Sequence, residues 1–254
     1  MRDNISAIVL AGGKGRRLGG REAKVMRPAN GKPLLRYVLD ALDFLPRENI
    51  IIVVGYGRDE VTASFPGYRY AVQEEQLGTG HAALCAQAEL DQIALNQTAP
   101  GSAVIVCCGD MPLLRRESYI ELTERHLSEG RDCTILSGES ATPLSFGRVI
   151  RSRDGTFLKI AEARDCTPEE LLVTELNSGV YAFSPEKLFP ALRALSRENA
   201  QGEYYLTDAP GLIKAGGGSV GIYKKDLREE ILGVNTPDDL ALAEKLLAAR
   251  EGAG

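Results

Sequence analysis

Short, continuous apolar runs constrain this chain more than any other feature. The first is Ile5–Leu10; residues 49–54 (NIIIVV) and 102–108 (SAVIVCC) repeat the pattern. Their interiors show no alternation of polar and apolar residues, so strands built from them must be buried on both faces. Between them lie segments with helical patterning. Residues 32–44 read as a helix with Pro33 suited to its first turn, 58–64 as a short helix, 80–93 as an Ala-rich helix and 116–128 as an amphipathic one. Residues 69–72 read as a further strand. Buried strands alternating with helices predict a parallel sheet covered on both sides.

From about residue 134 to 223 the rhythm changes. FGRVIRSRDGTFLKIAE (146–162) alternates around Asp154-Gly155, a hairpin signal, and ELNSGVYAF (175–183) reads as another strand. These predict antiparallel or mixed elements inserted into a doubly wound fold. The last helix, 237–250, is announced by Thr236 as N-cap and Pro237 at its first position. No internal repeat is present, and no Pro/Gly/Ser-rich linker separates independent domains. The expectation is one domain over 1–254, its main part about 1–133 and 220–254, with a lobe at about 134–219.

Composition excludes several classes. The 30 Lys and Arg against 35 Asp and Glu give a net charge of −5, which disfavours bulk nucleic-acid or membrane-surface binding. No apolar run approaches the roughly 20 residues of a membrane span, and the N-terminus lacks the long apolar stretch of a signal peptide. Cys85, Cys107, Cys108, Cys133 and Cys166 contain no CxxC pair and read as reduced thiols of a cytoplasmic protein. The only two histidines, His81 and His126, argue against a zinc site or a His-based triad.

The first strand runs into AGGKGRRLGG, a glycine-rich loop of the kind whose backbone N–H groups cradle phosphate. It is not a dinucleotide fingerprint: Gly13 and Gly15 are followed by Leu18, and the second strand ends in Gly55-Tyr56 with no ribose-binding acid. It is not a Walker A loop either, because Arg21-Glu22 stands where Lys-Ser/Thr belongs. What remains is a loop with Lys14, Arg16, Arg17, Arg21, Lys24 and Arg27 against Glu22 alone. Residues 14–27 thus carry five net positive charges while the rest of the chain carries ten net negative ones. Such a concentration suits a polyanionic ligand, or else a solvated basic loop.

LAGGKGRRL, Lys24 in AKVMRP, and GKPLL resemble the opening of the sugar-nucleotidyltransferases (nucleoside-diphosphate-sugar pyrophosphorylases). QEEQLGTGHA (73–82), CGDMPLL (108–114), FGRVIR (146–151), NSGVYAF (177–183), NAQGEYYLTD (199–208) and GVNTPDDL (233–240) extend the resemblance over about 5–245. In this order the segments look like the uridyltransferase half of bacterial bifunctional uridyltransferase/acetyltransferases. Such proteins continue into a hexapeptide-repeat β-helix. This chain stops after the helix at 237–250, so acetyl transfer and repeat-driven trimerisation are not carried over. Gly12 stands where Ala is usual, and Ala23 replaces the proline usual before the Lys of the motif.

The resemblance implies a Rossmann-like three-layer α/β/α fold with a predominantly parallel mixed sheet. It implies a Mg²⁺-dependent reaction of UTP with N-acetylglucosamine 1-phosphate, giving UDP-N-acetylglucosamine and pyrophosphate. By the same resemblance Arg17 and Lys24 neutralise the triphosphate. Leu10, Ala11, Gly12 and Gly13 approach the nucleotide, and Gln73, Gln76, Gly78 and Thr79 read the base. Asp110 and Asn235 hold Mg²⁺; Gly147, Glu162, Asn177 and Thr207, within the lobe, receive the sugar. His81 is expected to be structural. Partners are small molecules, with a monomer or small homo-oligomer expected. Transfer to another sugar 1-phosphate such as glucose 1-phosphate, use of dTTP, or a non-catalytic sugar-nucleotide-binding subunit are the alternatives.

Overall fold

A computed structural model describes residues 4–20, 22–94, 102–139 and 146–252. Strand β1 (Ile5–Leu10) leads into the glycine-rich loop, then a two-residue ribbon of β2 (Pro28–Ala29) and β3 (Lys32–Pro33), and helix α1 (Leu34–Ala41). β4 (Ile50–Val54), α2 (Arg58–Ser64), β5 (Arg69–Val72), α3 (Thr79–Cys85), α4 (Gln87–Ala94), β6 (Ala103–Cys108) and α5 (Arg116–Ser128) complete the first part. There follow β7 (Cys133–Glu139), the hairpin β8 (Arg148–Arg151) and β9 (Phe157–Ala161), the one-turn α6 (Pro168–Leu171), β10 (Glu175–Phe183), α7 (Pro185–Arg193) and α8 (Ala209–Ala215). β11 (Val220–Lys224) and α9 (Pro237–Glu251) end the order.

The sheet runs β11-β7-β10-β6-β1-β4-β5, with the β8–β9 hairpin attached to β10. β1 pairs parallel to both β4 and β6, β4 to β5, and β11 to β7, while β10 is antiparallel to β6 and β7. This is the expected predominantly parallel, mixed sheet. Alternate residues of each central strand divide between two cores. Ala7, Val9, Ile50, Ile52 and Val54 pack with Leu35, Val38, Leu39, Phe65, Tyr119 and Leu122 of the α1, α2 and α5 side. Ile8, Ile51 and Val53 pack with Ala82, Ala83, Leu90, Leu188 and Ile213 of the α3, α4, α7 and α8 side. Every residue of β4 is buried, the outcome its uniform sequence requires. Full burial of each such side chain contributes about 1.5–3 kcal/mol, so the three layers rest on these central runs.

Two expected helices change their limits. The 32–44 segment starts its helix only at Leu34, because Asn30 and Gly31 both take positive φ (48° and 79°) and fold Pro28–Ala29 back on Lys32–Pro33. An Asn-Gly pair is well suited to that two-residue turn. The 80–93 segment divides into α3 and α4 at Ala86. The hairpin around Asp154-Gly155 forms as expected, Gly155 taking φ +84°. β7 and β10 of the 134–219 segment belong to the same sheet as β1 and β6.

From β1 the chain moves outward to β4 and β5, then returns to place β6 on the opposite side of β1. The carboxyl ends of β1 and β6 therefore flank the point where strand order reverses, the crevice in which open α/β sheets bind ligands.

Candidate active site

The loop after β1 is tied down at its carbonyls. Leu10 O accepts from Gly109 N at 2.9 Å, Gly12 O from Tyr56 N at 3.1 Å and Gly13 O from Lys24 N at 3.4 Å, while Ala11 N donates to Val53 O at 2.8 Å. Gly15, with φ +63°, lies so close to Lys24 that a Cβ there would meet the lysine Cβ at 2.8 Å. The glycine thus lets the loop fold over the lysine stem. Of the basic residues, Arg21 lies outside the described residues; Lys14 sits over the Tyr56 ring at 5.0 Å.

Lys24 is the centre of the site. Its ammonium donates to Asp110 Oδ2 and, at 2.8 Å, to Asn235 Oδ1, which also accepts from Arg17 Nη2 at 3.0 Å. Asp110 follows β6, as expected of a ligand site on a doubly wound sheet. Asn235 is set by the cap of α9. Thr236 Oγ1 accepts from Asp239 N, while Asp239 Oδ2 accepts from the backbone N–H of both Thr236 and Asn235 at 2.9 Å. Val234 N donates to Asp110 O at 2.9 Å and locks the two loops together. Four residues separated by up to 218 positions are thereby brought to one point.

Beside them opens a cavity of about 160 Å³. Asp110 and Asn235 lie on its wall together with Thr79, Gly147, Glu162, Asn177 and Thr207, so the expected metal and sugar residues share one space. Thr207 Oγ1 donates to Glu162 Oε1 at 3.0 Å. Burial raises the Glu162 carboxyl above its usual range; the Thr207 bond opposes this, and Asp208 and Asp165 add to it. A Cβ on Gly147 would meet Ile160 Cγ2 of the hairpin at 2.9 Å, so a side chain here would have to displace it.

The segment expected to read the base has its own support. Gly80 N donates to Tyr204 O and Tyr204 N to Leu77 O, both at 2.8 Å, and Leu206 N donates to Thr79 Oγ1 at 3.0 Å. The QLGTGHA and EYYLTD segments therefore pair with each other. Gly78, at φ +116°, has the Tyr204 carbonyl 2.6 Å from where a Cβ would stand. Gln73 is buried, and its Nε2 donates to Gly78 O at 3.0 Å and meets His81 Nδ1 at 3.2 Å. Both amide protons are thus engaged within the protein, and the carbonyl oxygen lies over Gly12. Gln76 is exposed, its Nε2 donating to Gln73 O at 3.3 Å.

Sequence reasoning did not find Cys108, Met111, Phe146, Ser178, Gly179 and Tyr181, which lie on the same wall. Cys108 directly precedes the Gly-Asp pair, a signal that was legible. Its thiol, like those of Cys107 and Cys133, is pushed up by burial and is unsuited to nucleophilic work. All five cysteines are free. Among the described residues no three His, Cys, Asp or Glu side chains gather as a metal cluster, and no helix is long and apolar enough to cross a membrane.

Residues 7–210 match the MobA-like NTP transferase domain. The chain belongs to the MobA-like NTP transferase family. Among curated relatives of this MobA-like chain, it is 40% identical over 249 residues to the bifunctional protein GlmU of Syntrophomonas wolfei, covering 97% of the chain and 54% of the relative. It is 39% identical over 248 residues to that of Exiguobacterium sibiricum, with the same shares. The chain spans about half the length of these relatives. A crystal structure assigned as a glucose-1-phosphate thymidylyltransferase from Bacillus anthracis, in complex with sucrose, superposes with a TM-score of 0.69. At 20% identity, covering 95% of this chain and 94% of that one, it shows the shared fold.

Proposed function

We propose that this chain transfers a uridylyl group from UTP to N-acetylglucosamine 1-phosphate. The observation that carries the reading is the meeting of Lys24 and Arg17 with Asp110 and Asn235, which line a cavity that also presents Glu162, Asn177 and Thr207. Cations for a triphosphate thus adjoin polar groups for a sugar. Identity to GlmU proteins over nearly the whole chain supports the acetamido sugar and the uridine nucleotide.

An oxygen of the sugar phosphate attacks the α-phosphorus of UTP in line. The new O–P bond forms as the bond to the β-phosphate oxygen breaks, and pyrophosphate leaves with that electron pair. A phosphate monoester has a second pKa near ~6, so the nucleophile is already anionic at neutral pH and requires no general base. Catalysis then consists of positioning and charge neutralisation. Lys24 and Arg17 supply fixed positive charge, and N–H groups of the loop at Gly12 and Gly13 supply donors. Gln73 has spent its donors on Gly78 and His81, so it reads the uracil imide N–H by accepting. Glu162 and Asn177 bind sugar hydroxyls, and Thr207 orients Glu162.

The pair Asp110 and Asn235 fits a hard divalent cation. Both are oxygen donors, and they already converge on a positive centre, the Lys24 ammonium. Magnesium held there, with phosphate oxygens and water as its other ligands, would neutralise developing charge on the phosphates.

Pyrophosphate release measured over UTP, dTTP, N-acetylglucosamine 1-phosphate and glucose 1-phosphate tests the proposal. Preference for the UTP and acetamido-sugar pair by at least about tenfold in kcat/KM, a difference of about 1.4 kcal/mol, is expected. Equal rates with glucose 1-phosphate overturn the sugar assignment. Tight UDP-sugar binding without turnover on any pair favours a binding subunit.

A further inference from the structure

We propose that Tyr181 is a positioning residue for the sugar, acting through the side chain of Asn177. The inference rests on the proposed function but concerns a residue that none of the motif matches assigned. Tyr181 stands four residues after Asn177 on β10. In a regular strand that separation would hold the two side chains about 13–14 Å apart. Here the register shifts: Asn177 faces Ser137, but Val180 faces Leu136 and Tyr181 faces Ile135. Ser178 and Gly179 are extra residues looped out of the ladder, so Asn177 and Tyr181 occupy positions only two ladder steps apart on one face, about 7 Å. Gly179 takes φ +76° to make the bulge. Ser178 fastens it, donating to Leu136 O at 2.7 Å and accepting from Val180 N at 3.2 Å.

The bulge delivers one contact. Asn177 Nδ2 donates to the Tyr181 hydroxyl at 2.7 Å. Tyr181 is 1% exposed and Asn177 4%, yet both lie on the wall of the cavity with Glu162 and Thr207. Asn177 Oδ1 is buried and has no partner among the described residues. Buried amide oxygens are normally paired, and an exception at a cavity wall marks the position of an absent donor. The tyrosine therefore holds one end of the amide and leaves the other end as an acceptor for a sugar hydroxyl. The tyrosine ring is fixed against Phe183, centroids 5.5 Å apart, so the hydroxyl is held by the core and not by the ligand. Preorganisation of this kind spares the ligand the entropy of ordering the amide.

The test is calorimetric titration of UDP-N-acetylglucosamine, UDP-glucose and UTP into the unsubstituted protein, Tyr181→Phe, Asn177→Ala and the double variant. Phenylalanine keeps the ring and removes only the hydroxyl. Tyr181→Phe is expected to weaken the sugar nucleotide about three- to tenfold, as for loss of one hydrogen bond, and to leave UTP unchanged. In the Asn177→Ala background the same change is expected to cost less than twofold, because the amide it acts on is gone. A merely structural role would weaken UTP alongside the sugar nucleotide, or would cost as much in the double variant as alone; either result overturns the inference. Should the unsubstituted protein prefer UDP-glucose, the acetamido assignment falls and the same ratios, read with UDP-glucose, decide the role of Tyr181. Should it bind UTP but neither sugar nucleotide, both proposals fall.

Discussion

Lys24 shows how much one side chain can connect. Its ammonium touches an aspartate after β6 and an asparagine before α9, and its stem lies under Gly15 of the loop after β1. Replacing it with methionine keeps most of the stem and removes the charge. For Lys24→Met, kcat is expected to fall about 10²–10³-fold, the size of effect seen when one preorganised donor is removed from developing charge. The same variant separates two readings of the Lys24–Asp110–Asn235 contact. If those oxygens form a cation site, the resident ammonium competes with a divalent ion in the absence of nucleotide. Titration of Mn²⁺ followed by electron paramagnetic resonance should then show several-fold tighter binding to Lys24→Met than to the unsubstituted protein. Binding unchanged or lost would assign the contact to a plain ion pair. Asp110→Ala is expected to lose both the Mn²⁺ site and at least about a hundredfold in turnover; near-normal turnover would refute the assignment.

At the scale of elements, the site depends on how loops are pinned. Gly78 joins the segment proposed to read the base to Tyr204, and its positive φ and lack of space exclude a side chain. Gly78→Ala is expected to destabilise the fold by about 1–3 kcal/mol through backbone strain and to raise the KM for UTP, read by chemical unfolding and steady-state kinetics. An unchanged KM would detach this loop from nucleotide recognition. Thr236→Ala removes a cap whose partner Asp239 also holds the Asn235 backbone. A cost of about 1 kcal/mol, or 2–4 °C in Tm, is expected. These elements also show what the sequence could reveal. The β4 and β6 runs and the Thr236-Pro237 cap were legible because burial period and capping are local rules. The Asn30-Gly31 turn that shortens α1 is equally local, but the apolar helical pattern masked it. The bulge at Ser178-Gly179 was not legible: a lone glycine in a strand does not say which ladder step it displaces. The proximity of Tyr181 to Asn177 follows only from that register. The alliance of Leu77–Gly80 with Tyr204–Leu206 was hidden too, because it depends on non-local packing.

At the scale of the whole molecule, charge is uneven: segment 14–27 carries +5 within a chain otherwise at −10, and two of its cations, Arg17 and Lys24, meet Asn235. Global stability answers to a different charge, one that is absent at neutral pH. His126 on α5 is 2% exposed and pairs through Nδ1 with Thr134 Oγ1 at 3.1 Å. Burial lowers its pKa to about 4, against a smaller raising effect from Asp132. The ordinary value near ~6.5 applies to the unfolded chain. Between those two values the unfolded state takes up a proton that the folded state refuses. The contribution is therefore fully present above pH ~6.5 and is lost as pH falls toward ~4, on the order of 2–3 kcal/mol in total. Carboxylates act lower down. Burial raises Glu175, but hydrogen bonds from Arg151 and Ser137 outweigh it and hold its carboxyl below the usual range, so its share is lost only on further acidification. Urea unfolding at pH 7.0, 5.5 and 4.5 should show a decline across this window in the unsubstituted protein. In His126→Asn, where no group titrates between 4 and 6.5 at that position, the decline should shrink by most of that amount. An identical slope in the two proteins would place the acid sensitivity elsewhere and leave His126 as a neutral packing residue.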